Sequence, residues 1–423
     1  MRVLILGARG FIGASLADAF TAAGHTVVKA VRQPVAPDEV AIDFASDHDP
    51  ADWGAFIAGV DVLINAVGII VETAAQRFDI IHTAAPVALF EACVAAGTRA
   101  PRVIQISALG ADRGDSSYFL SKRAADEALM RLPLDWQVLR PALVFGEQGQ
   151  SARLFLTLAS LPLLPLPGGG QQPLQPVHID DLTDAALRLA DPATPARQCI
   201  DLAGPAPLTL RDILLAYRRA LGLPPTGQFA IPAPLMTIAA AIADRIPGAL
   251  FNHENWRMLQ AGNTCAPDAL AAATRLLGHA PRSIERFIAP QRSADLRRRA
   301  LDSWHGLLLR VALAIIWFVT AIVSAGAYPQ ADSLALLARV GLAGVPAFVA
   351  LYGAAALDFA FGVATLFRPG RRLWLAQAGL VLAYTAIIAF ALPEFLVHPF
   401  GPITKNLAVL AILIVLHSRE VSS

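Results

Sequence analysis

The 423-residue sequence contains little cysteine and almost no net charge. Its three cysteines, Cys93, Cys199 and Cys265, lie far apart and form no CxxC pair. This pattern excludes a disulfide framework, fits a reducing cytosol, and leads us to expect no metal site. The formal net charge of +1 creates no strong overall field, so we expect no nucleic-acid partner. The N-terminus also lacks the unbroken apolar run of a signal peptide, because glycines interrupt it.

Charged residues are scarce as well, and the resulting apolar excess is concentrated after residue 305. Charged residues make up 16% of the chain and hydrophobic residues 55%, with a mean hydropathy of +0.53. These values are too apolar for a purely soluble protein, and the length suggests two or three domains. We expect a nucleotide-binding domain at 1–290, a basic linker at 291–304 and a transmembrane domain at 305–420.

The first nineteen residues, MRVLILGARGFIGASLADA, predict a strand, a glycine turn and a helix. Residues 2–6 form the short apolar run of a buried parallel strand, and helical spacing follows from residue 10. This arrangement presents backbone N–H groups and the positive end of a helix to a pyrophosphate, and glycine lets the phosphates approach closely. The residues predicted to bind the cofactor here are Gly7, Arg9, Gly10, Phe11, Ile12 and Gly13.

Strands and helices continue to alternate after this turn. The predicted strands are 26–31, 40–43, 61–65, 102–107 and 136–140, and the predicted helices are 72–96 and 117–131. This alternation predicts an α/β fold with a Rossmann-type, doubly wound parallel sheet. A smaller substrate lobe is expected mainly at 150–290, where the apolar stretch 154–166 suggests a lipophilic cleft or a membrane-facing surface. Ligands bind such sheets beyond the carboxyl ends of the strands.

Residues at three strand ends are predicted to contact a dinucleotide. Arg32 ends the second strand, where an arginine accommodates the 2′-phosphate of NADP and a carboxylate would select NAD. Arg9 would add a second cation, unless both arginines are solvated surface side chains. Asp43 is predicted to contact the adenine. Small residues after the fourth strand would let the cofactor pass close to the backbone: Asn65, Ala66, Val67 and Gly68. The pattern favours NADP(H) and leaves NAD(H) as the alternative.

Ser107, Tyr118 and Lys122 form the sharpest chemical pattern in the sequence. Tyr118 and Lys122 are four residues apart on a predicted helix, so their side chains share one face. An ammonium beside a phenol lowers the pKa of the phenol, which can then exchange a proton with a carbonyl or an alcohol. Ser107 ends the fifth strand and is predicted to hold the substrate oxygen. An intact site of this kind is also compatible with nucleotide binding alone.

Residues 1 to about 290 resemble the extended or atypical short-chain dehydrogenase/reductase superfamily, particularly bacterial relatives of the NADPH-binding accessory subunit of mitochondrial complex I. The resemblance rests on GARGFIG, NAVGII, RFDIIH, VIQISALGAD, YFLSK, LRPALVFG and QPVHIDDLTDA. It implies that Tyr118 is the acid/base, that Lys122 activates it and binds the ribose, and that Ser107 polarises the substrate.

The sequence departs from the pattern of this superfamily at one position. His82 stands where many members have an asparagine that helps to relay protons, and the complex I relative implies a structural role for NADPH. Arg140 and Pro141 follow the extended pattern at the border of the substrate lobe. The stretch HIDD at residues 178–181 also follows the extended pattern. His178 is either a site residue or a helix-start residue.

Four apolar segments predict membrane-spanning helices at 307–327, 346–367, 373–392 and 403–417. The last is shorter than the roughly 20 residues that a span needs. Arginines cluster before the first segment, between the second and third, and after the fourth, whereas the opposite loops carry only Arg339 and Lys405. We therefore expect a multi-pass protein of the cell inner membrane, with both termini and the nucleotide domain in the cytoplasm.

Asp358 falls within the second segment, where a carboxylate is costly and marks either a functional site or a helix–helix hydrogen bond. Residues 305–420 resemble the DoxX-like four-helix membrane family, most clearly at HPFGP (residues 398–402) followed by Lys405 and Asn406. For some members, this resemblance implies quinone-coupled redox chemistry.

The expected function is that of a membrane-anchored, NAD(P)-dependent oxidoreductase acting on a lipophilic carbonyl, alcohol or quinone-like substrate. One alternative is a non-catalytic NADPH-binding scaffold or redox sensor on a respiratory or other membrane complex. Another is an NADP-dependent epimerase or dehydratase. The expected partners are a small lipophilic substrate or quinone and membrane lipid.

Overall fold

The computed structural model describes residues 1–246, 248–249, 251–399, 401 and 403–420. Two residues of the HPFGP motif, Phe400 and Pro402, lie outside the described residues. The chain divides into two compact units, Met1–Ala300 and Leu301–Ser423.

The strands all belong to the first unit, as far as the described residues show. In chain order they are β1 (Arg2–Leu6), β2 (Thr26–Val31), β3 (Glu39–Ala41), β4 (Val62–Asn65), β5 (Arg102–Ile106), β6 (Trp136–Pro141), β7 (Val144–Phe145), β8 (Leu164–Pro167), β9 (Pro173–Leu174), β10 (Val177–His178), β11 (Gln198–Leu202), β12 (Leu208–Thr209) and β13 (Gln228–Ile231). Seven of them form one parallel sheet in the order β11-β6-β5-β4-β1-β2-β3 among the described residues. The α/β fold predicted from the sequence is confirmed.

The helices of the first unit are α1 (Phe11–Ala22), α2 (Gly54–Ile57), α3 (Ala85–Ala95), α4 (Ser117–Arg131), α5 (Gln150–Ser160), α6 (Ile179–Ala190), α7 (Leu210–Ala220), α8 (Ala233–Ala243), α9 (His253–Ala261) and α10 (Pro267–Leu277). Short 3₁₀ turns lie at Pro50–Asp52, Gly97–Arg99, Gly168–Gly170 and Ile284–Arg286, and a π-helical turn lies at Asp79–Ala84. The remaining helices are α11 (Pro290–Ile322), α12 (Gln330–Arg339), α13 (Val345–Phe367), α14 (Arg371–Ala391) and α15 (Asn406–Arg419), with a π-helical turn at Val323–Ala327 and a 3₁₀ turn at Pro393–Leu396.

Apolar layers cover both faces of the sheet, as the alternation of side chains along β1 illustrates. Val3 and Ile5 belong to the layer that contains Leu16 of α1. Leu4 and Leu6 belong to the opposite layer, which contains Leu89 of α3. Successive strand residues point to opposite faces, so a continuous apolar run is buried on both sides. Each fully buried side chain of this kind stabilises the fold by about 1.5–3 kcal/mol.

The order in which strands are added to the sheet reverses at β1: β2 and β3 follow on one side, and β4, β5 and β6 follow on the other. β1 pairs with β2 on one side and with β4 on the other, with Val3 opposite Val27 and Val62. In open α/β sheets, ligands bind in the crevice at such a switch point, beyond the carboxyl ends of the strands. The glycine turn after β1 and the residues after β4 therefore meet at one edge.

The predicted helix at 72–96 is wrong over its first turns. Residues 72–78 are not helical; the π-helical turn follows at Asp79–Ala84 and α3 at Ala85–Ala95. Glu72 accepts a hydrogen bond from the backbone N–H of Phe78 at 2.7 Å, and this side-chain contact competes with helical pairing. By contrast, the predicted helix 117–131 matches α4, whose N-terminus is capped by the Ser116 hydroxyl.

Three helical stretches among the described residues are long and apolar enough to cross a membrane: Pro290–Ala327, which begins in the first unit and continues into the second, and Val345–Phe367 and Arg371–Ala391 of the second unit. The fourth predicted span corresponds to α15, which is apolar but has 14 residues. Residues 291–304, interpreted from sequence as a linker, are helical within α11, where Asp295 pairs with Arg298 at 2.9 Å and Arg299 at 2.8 Å. α12 was not predicted.

Polar side chains connect the helices of the second unit. Trp317 donates its indole N–H to Gln377 at 3.0 Å, and Gln377 donates to the Thr365 hydroxyl at 2.9 Å. Asn406 donates to Thr385 at 2.8 Å. Such bonds hold apolar helices together where burial alone provides little specificity. The Asp358 side chain is buried, and its Oδ1 has no hydrogen-bond partner in the described part of the chain.

Candidate functional site

The glycine turn joins β1 to α1 with close backbone packing. Gly7 has φ +76°, and the Gly10 N–H donates to the Gly7 carbonyl at 2.8 Å. A Cβ at Gly13 would lie 2.1 Å from the Gly7 oxygen, so only glycine lets α1 start against this turn. No side chain among the described residues caps α1. Its first-turn N–H groups are therefore free to bind an anion such as a pyrophosphate.

A cavity of about 730 Å³, called here the first cavity, lies beyond the carboxyl ends of β1, β2 and β4. It fits a nucleotide because glycines and alanines in its wall let a ligand approach the backbone, and Arg9 and Arg32 supply cations. The predicted cofactor residues that line it are Gly7, Arg9, Gly10, Arg32, Asp43, Ala66, Val67 and Gly68.

The other predicted cofactor residues lie elsewhere. Phe11 and Ile12 line a neighbouring cavity, and Gly13 packs on the turn. Asn65 is fully buried; its amide donates to Gln105 at 2.8 Å, and its Oδ1 accepts the Val67 N–H at 3.1 Å. Asn65 therefore shapes the end of β4 and does not line the first cavity.

Arg9 and Arg32 have different surroundings. Arg9 makes a bidentate pair with Glu39, with its shortest N–O distance at 2.8 Å. Glu39 also accepts the Val35 N–H at 2.6 Å, and that bond together with Arg9 lowers the pKa of Glu39. Arg32 forms no ion pair in the described part of the chain. Sequence reasoning missed Glu39, whose position at the start of β3 beside β2 was the available signal.

Lys122 connects two strand ends from α4. Its buried ammonium donates to the carbonyl oxygens of Val67 at 3.4 Å and Ile106 at 3.3 Å. A Cβ at Gly68 would lie 3.2 Å from Nζ, so glycine there leaves room for the lysine. Burial lowers the pKa of Lys122 to about 8, although the charge of Asp126 opposes this shift.

Tyr118 lies one helical turn before Lys122 and lines the neighbouring cavity. Burial, followed by the negative charge of Asp126, raises the pKa of Tyr118 to about 12. The sequence-based expectation that Lys122 lowers this pKa is therefore wrong for this structure. The main cause is burial of the phenol, which disfavours the charged phenolate, and the negative charge of Asp126 on the same helix adds to it. At neutral pH the phenol keeps its proton, which suits a general acid.

His82 is locked in place by hydrogen bonds. Its Nε2 accepts the Ile69 N–H at 3.0 Å, and its Nδ1 lies 2.9 Å from the Ser121 hydroxyl. Ser121 in turn donates to the Tyr118 carbonyl at 2.8 Å. This network assigns the ring proton to Nδ1. Burial and the charge of Lys122 lower the pKa of His82 to about 2, so the ring is neutral.

Both ring nitrogens of His82 are therefore in use, and its side chain is almost fully buried. The ring also stacks on Phe78, with 5.2 Å between the ring centroids. These contacts hold the π-helical turn against α4. In this arrangement His82 connects the segment after β4 to the helix that carries Tyr118.

Ser107 belongs to a buried polar cluster that sequence reasoning did not find. Its hydroxyl donates to Asp126 Oδ2 at 2.7 Å, and Arg140 donates to the same oxygen at 3.2 Å. Burial raises the pKa of Asp126, while Ser107 and Arg140 oppose that shift. Tyr118, Lys122 and Asp126 are spaced by four residues on α4, and this spacing was the available signal. While Asp126 is ionised, Ser107 presents its acceptor lone pairs to a ligand.

A second cavity of about 360 Å³ contains Tyr118 and Ser107 in its wall. The described residues that line it include no aspartate, glutamate, lysine, arginine or histidine. Its apolar lining comes from both the sheet domain and the smaller lobe: Phe11, Ile12, Ile70, Leu109, Phe119, Leu143, Leu154, Phe155, Leu174, Phe251, Met258 and Leu259. Such a lining fits a ligand that is mostly apolar with one polar group.

The parallel sheet, the glycine turn and the adjoining tyrosine–lysine pair define a Rossmann-type dinucleotide-binding protein. Comparison with known families agrees: the pattern of the NAD dependent epimerase/dehydratase family matches residues 3–198, and that of the DoxX-like family matches residues 314–414. The chain belongs to the NAD dependent epimerase/dehydratase family and carries a C-terminal DoxX-like domain. With this domain and its long apolar helices, it is a membrane protein.

Three characterised relatives share part of the sequence. A 3-diazoavenalumate denitrifying reductase from a Streptomyces species is 30% identical over 64% of this chain and 95% of its own length. A ceramide reductase from Caulobacter vibrioides is 27% identical over 57% of this chain and 77% of its own length. Subunit 9 of the mitochondrial NADH dehydrogenase 1 alpha subcomplex from Arabidopsis thaliana is 28% identical over 49% of this chain and 55% of its own length.

Solved structures share the fold at lower identity. UDP-glucuronic acid 4-epimerase from Bacillus cereus, bound to UDP-glucuronic acid and NAD, superposes with a TM-score of 0.53 at 16% identity, covering 71% of this chain and 99% of the epimerase. A human epimerase family protein with NADPH gives 0.54 at 19% identity, covering 70% of this chain and 99% of that protein.

Proposed function

We propose that this chain is a membrane-anchored, NADP(H)-dependent oxidoreductase that acts on a neutral, lipophilic carbonyl or alcohol. The uncharged lining of the second cavity carries the proposal, because that lining surrounds Tyr118. A nucleotide-sugar substrate brings two phosphate charges, which proteins usually bind with arginine, lysine or helix N-termini. The second cavity therefore favours a lipophilic substrate over the nucleotide sugars bound by the epimerase neighbour. Two of the relatives are named as reductases, and one of them is named for a lipid.

The residues divide the proposed chemistry between the two cavities. In the first cavity, the glycine turn and the start of α1 would hold the pyrophosphate, with Arg32 near the 2′-phosphate. The hydride for the carbonyl carbon would come from NADPH held by these residues. Tyr118 gives its phenolic proton to the carbonyl oxygen, which completes the alcohol. Lys122 stabilises the phenolate that remains, and Ser107 accepts a hydrogen bond from the new hydroxyl.

The preference for NADP(H) over NAD(H) is supported by Arg32, whose guanidinium lines the first cavity without an ion pair among the described residues. Arg9 contributes less to this proposal because Glu39 already binds it. The arginine distribution around the apolar helices supports a multi-pass protein of the cell inner membrane with its nucleotide domain in the cytoplasm.

A non-catalytic NADPH-binding scaffold on a membrane complex is the second candidate. The neutral His82 favours it, because both ring nitrogens of this residue form hydrogen bonds within the protein. The two candidates differ in what they require of the Tyr118 hydroxyl.

The test uses the full chain in lipid nanodiscs, with NADPH oxidation followed on neutral long-chain ketones, aldehydes and quinones. UDP-sugar conversion is followed by chromatography and mass spectrometry, because epimerisation and dehydration consume no net NADPH. We expect turnover of a long-chain carbonyl, and we expect Tyr118→Phe to lower kcat by about 10²–10⁴ while NADPH still binds. Tyr384→Phe, in the second unit, is the matched control and should turn over normally. Conversion of a UDP-sugar, or full rescue of a deletion strain by Tyr118→Phe, would overturn the proposal.

A further inference from the structure

Helix α8 (Ala233–Ala243, APLMTIAAAIA) contains no charged residue and presents an apolar face to the surroundings. Leu235, Ile238 and Ile242 are 56%, 57% and 58% exposed, and Ile246 just beyond the helix is 60% exposed. The spacing of three, four and four residues places them along one stripe, called here the α8 stripe. Contiguous exposed apolar surface of this kind marks an interaction site.

The other face of α8 is anchored to its own domain. Ala240 is fully buried, and Thr237 accepts a hydrogen bond from the Trp256 indole at 3.2 Å. After the helix, Asp244 accepts the His253 N–H at 2.9 Å. Packing within the first unit therefore sets the orientation of the α8 stripe.

The anchoring helix α9 leads directly to the site. Glu254 of α9 accepts the backbone N–H of Tyr118 at 2.9 Å. Met258 and Leu259 of α9 line the second cavity, as does Phe251 between the two helices. The α8 stripe is thus one helix away from the apolar cavity.

A lipid bilayer is the occupant that these features fit. The first unit continues along the chain into a membrane-spanning stretch, so a bilayer is always within reach of its surface. α8 has 11 residues, about 16 Å of helix, which is too short to cross roughly 30 Å of hydrocarbon. A helix too short to span can instead lie in the interface plane, with its apolar face at the boundary between headgroups and acyl chains. Arg245, exposed at the end of α8, would then meet the phosphate headgroups.

We propose that the α8 stripe lies in the membrane interface and that α8 and α9 form the route by which a membrane-dissolved substrate reaches the second cavity. The membrane contact stands on the α8 stripe alone, whereas the substrate route rests on the proposed function.

The contact is tested by fluorescence quenching on the full chain in nanodiscs. Cys199 and Cys265 are replaced by serine, and the fully buried Cys93 is kept. One cysteine introduced at Ile238, Ile242, Val319 or Val35 then carries an environment-sensitive dye. Val319 lies in the first spanning stretch, and Val35 is an apolar residue, 81% exposed, in the nucleotide domain. Spin-labelled lipids should quench the dye at 238 and 242 as at 319, with the dye at 35 unaffected. If the dye at 319 is quenched and the dye at 238 and 242 is not, the membrane contact is contradicted. The same result is expected if another protein surface covers the α8 stripe.

The route is tested with an Ile238→Glu/Ile242→Glu variant and with Val35→Glu as its matched control. We expect a severalfold lower kcat/KM for a bilayer-resident long-chain ketone and an unchanged value for a water-soluble short ketone. Equal loss on both ketones, or loss on neither, contradicts the route. If no ketone is reduced by the unmodified chain, the proposed function fails, while the quenching result still decides the membrane contact.

Discussion

Asp126 connects three of the functional side chains at the residue scale. Its carboxylate binds Ser107 and Arg140, and its charge acts on the pKa values of Tyr118 and Lys122. Loss of this buried carboxylate should therefore disturb the positions of the site residues and also destabilise the domain.

Asp126→Ala should destabilise the first unit by about 3–5 kcal/mol, because it leaves the largely buried Arg140 without its partner. The matched control is Glu127→Ala, which removes an exposed partner of Arg131 at 3.1 Å and should cost about 0–1 kcal/mol. Thermal unfolding of the purified full chain, followed by circular dichroism, measures both. Similar shifts in Tm for the two variants would contradict the role of Asp126.

Arg32→Ala should weaken NADPH binding by about 1.5–3 kcal/mol, the range for hydrogen bonds to charged groups. NADH lacks the 2′-phosphate, so its affinity should change little. Arg131→Ala, at the exposed end of α4, is the control and should affect neither nucleotide. Calorimetric titration measures the affinities, and an equal loss for NADPH and NADH would refute the assignment of Arg32.

The pKa values of Lys122 and Tyr118 predict that nucleotide affinity falls at alkaline pH because of Lys122 alone. The ammonium of Lys122 is charged below its pKa of about 8 and loses its proton as the pH rises through that value. Nucleotide affinity should therefore be constant in neutral solution and fall above about pH 8, while Tyr118, with a pKa of about 12, remains protonated. Fluorescence titration at several pH values measures this fall. Lys122→Met should bind weakly at every pH; a fall of the same size near pH 8 in that variant would exclude Lys122 as its source.

At the scale of elements, the packing of α1 against the glycine turn requires close contact between the backbones at Gly13 and Gly7. Gly13→Ala would place a methyl group 2.1 Å from the Gly7 oxygen, so α1 must shift. We expect loss of nucleotide binding and a destabilisation of about 1–3 kcal/mol from overpacking. Gly54→Ala is the control, because a Cβ there meets nothing within 4 Å. Calorimetry and thermal unfolding separate the two effects; normal NADPH binding by Gly13→Ala would contradict this account of the turn.

Local signals explain which elements were predictable. The start of α4 follows from a capping serine, and its end from Leu132 followed by Pro133, so its bounds needed no tertiary information. The π-helical turn could not be predicted, because it is held by the contact between His82 and Ser121, 39 residues apart. The pKa of Tyr118 was equally beyond the sequence motif, since it depends on the burial of the phenol and on the negative charge of Asp126. The exposure of the α8 stripe depends on tertiary packing in the same way.

At the scale of the whole molecule, membrane orientation is the quantity to measure. Arg368, after the second apolar helix, and Arg371 and Arg372, at the start of the third, should lie in the cytoplasm. A membrane-impermeant thiol reagent added to intact spheroplasts should label Leu396→Cys and spare Gly370→Cys. Lysed spheroplasts provide the control, since both positions should then react. The reverse pattern in intact spheroplasts would mean that the chain is inserted in the opposite sense.

The late position of β11 in the chain has a consequence for biosynthesis. The large sheet is completed when residues 198–202 pair with β6, and the first apolar spanning stretch is translated about a hundred residues later. Domains generally fold as units during synthesis, starting with the N-terminal one. The completed parallel sheet can thus become a folded body on the ribosome before any spanning segment emerges. A body of that size cannot thread through a translocation channel made for unfolded chain, so the timing of translation itself would keep it on the side where it was made.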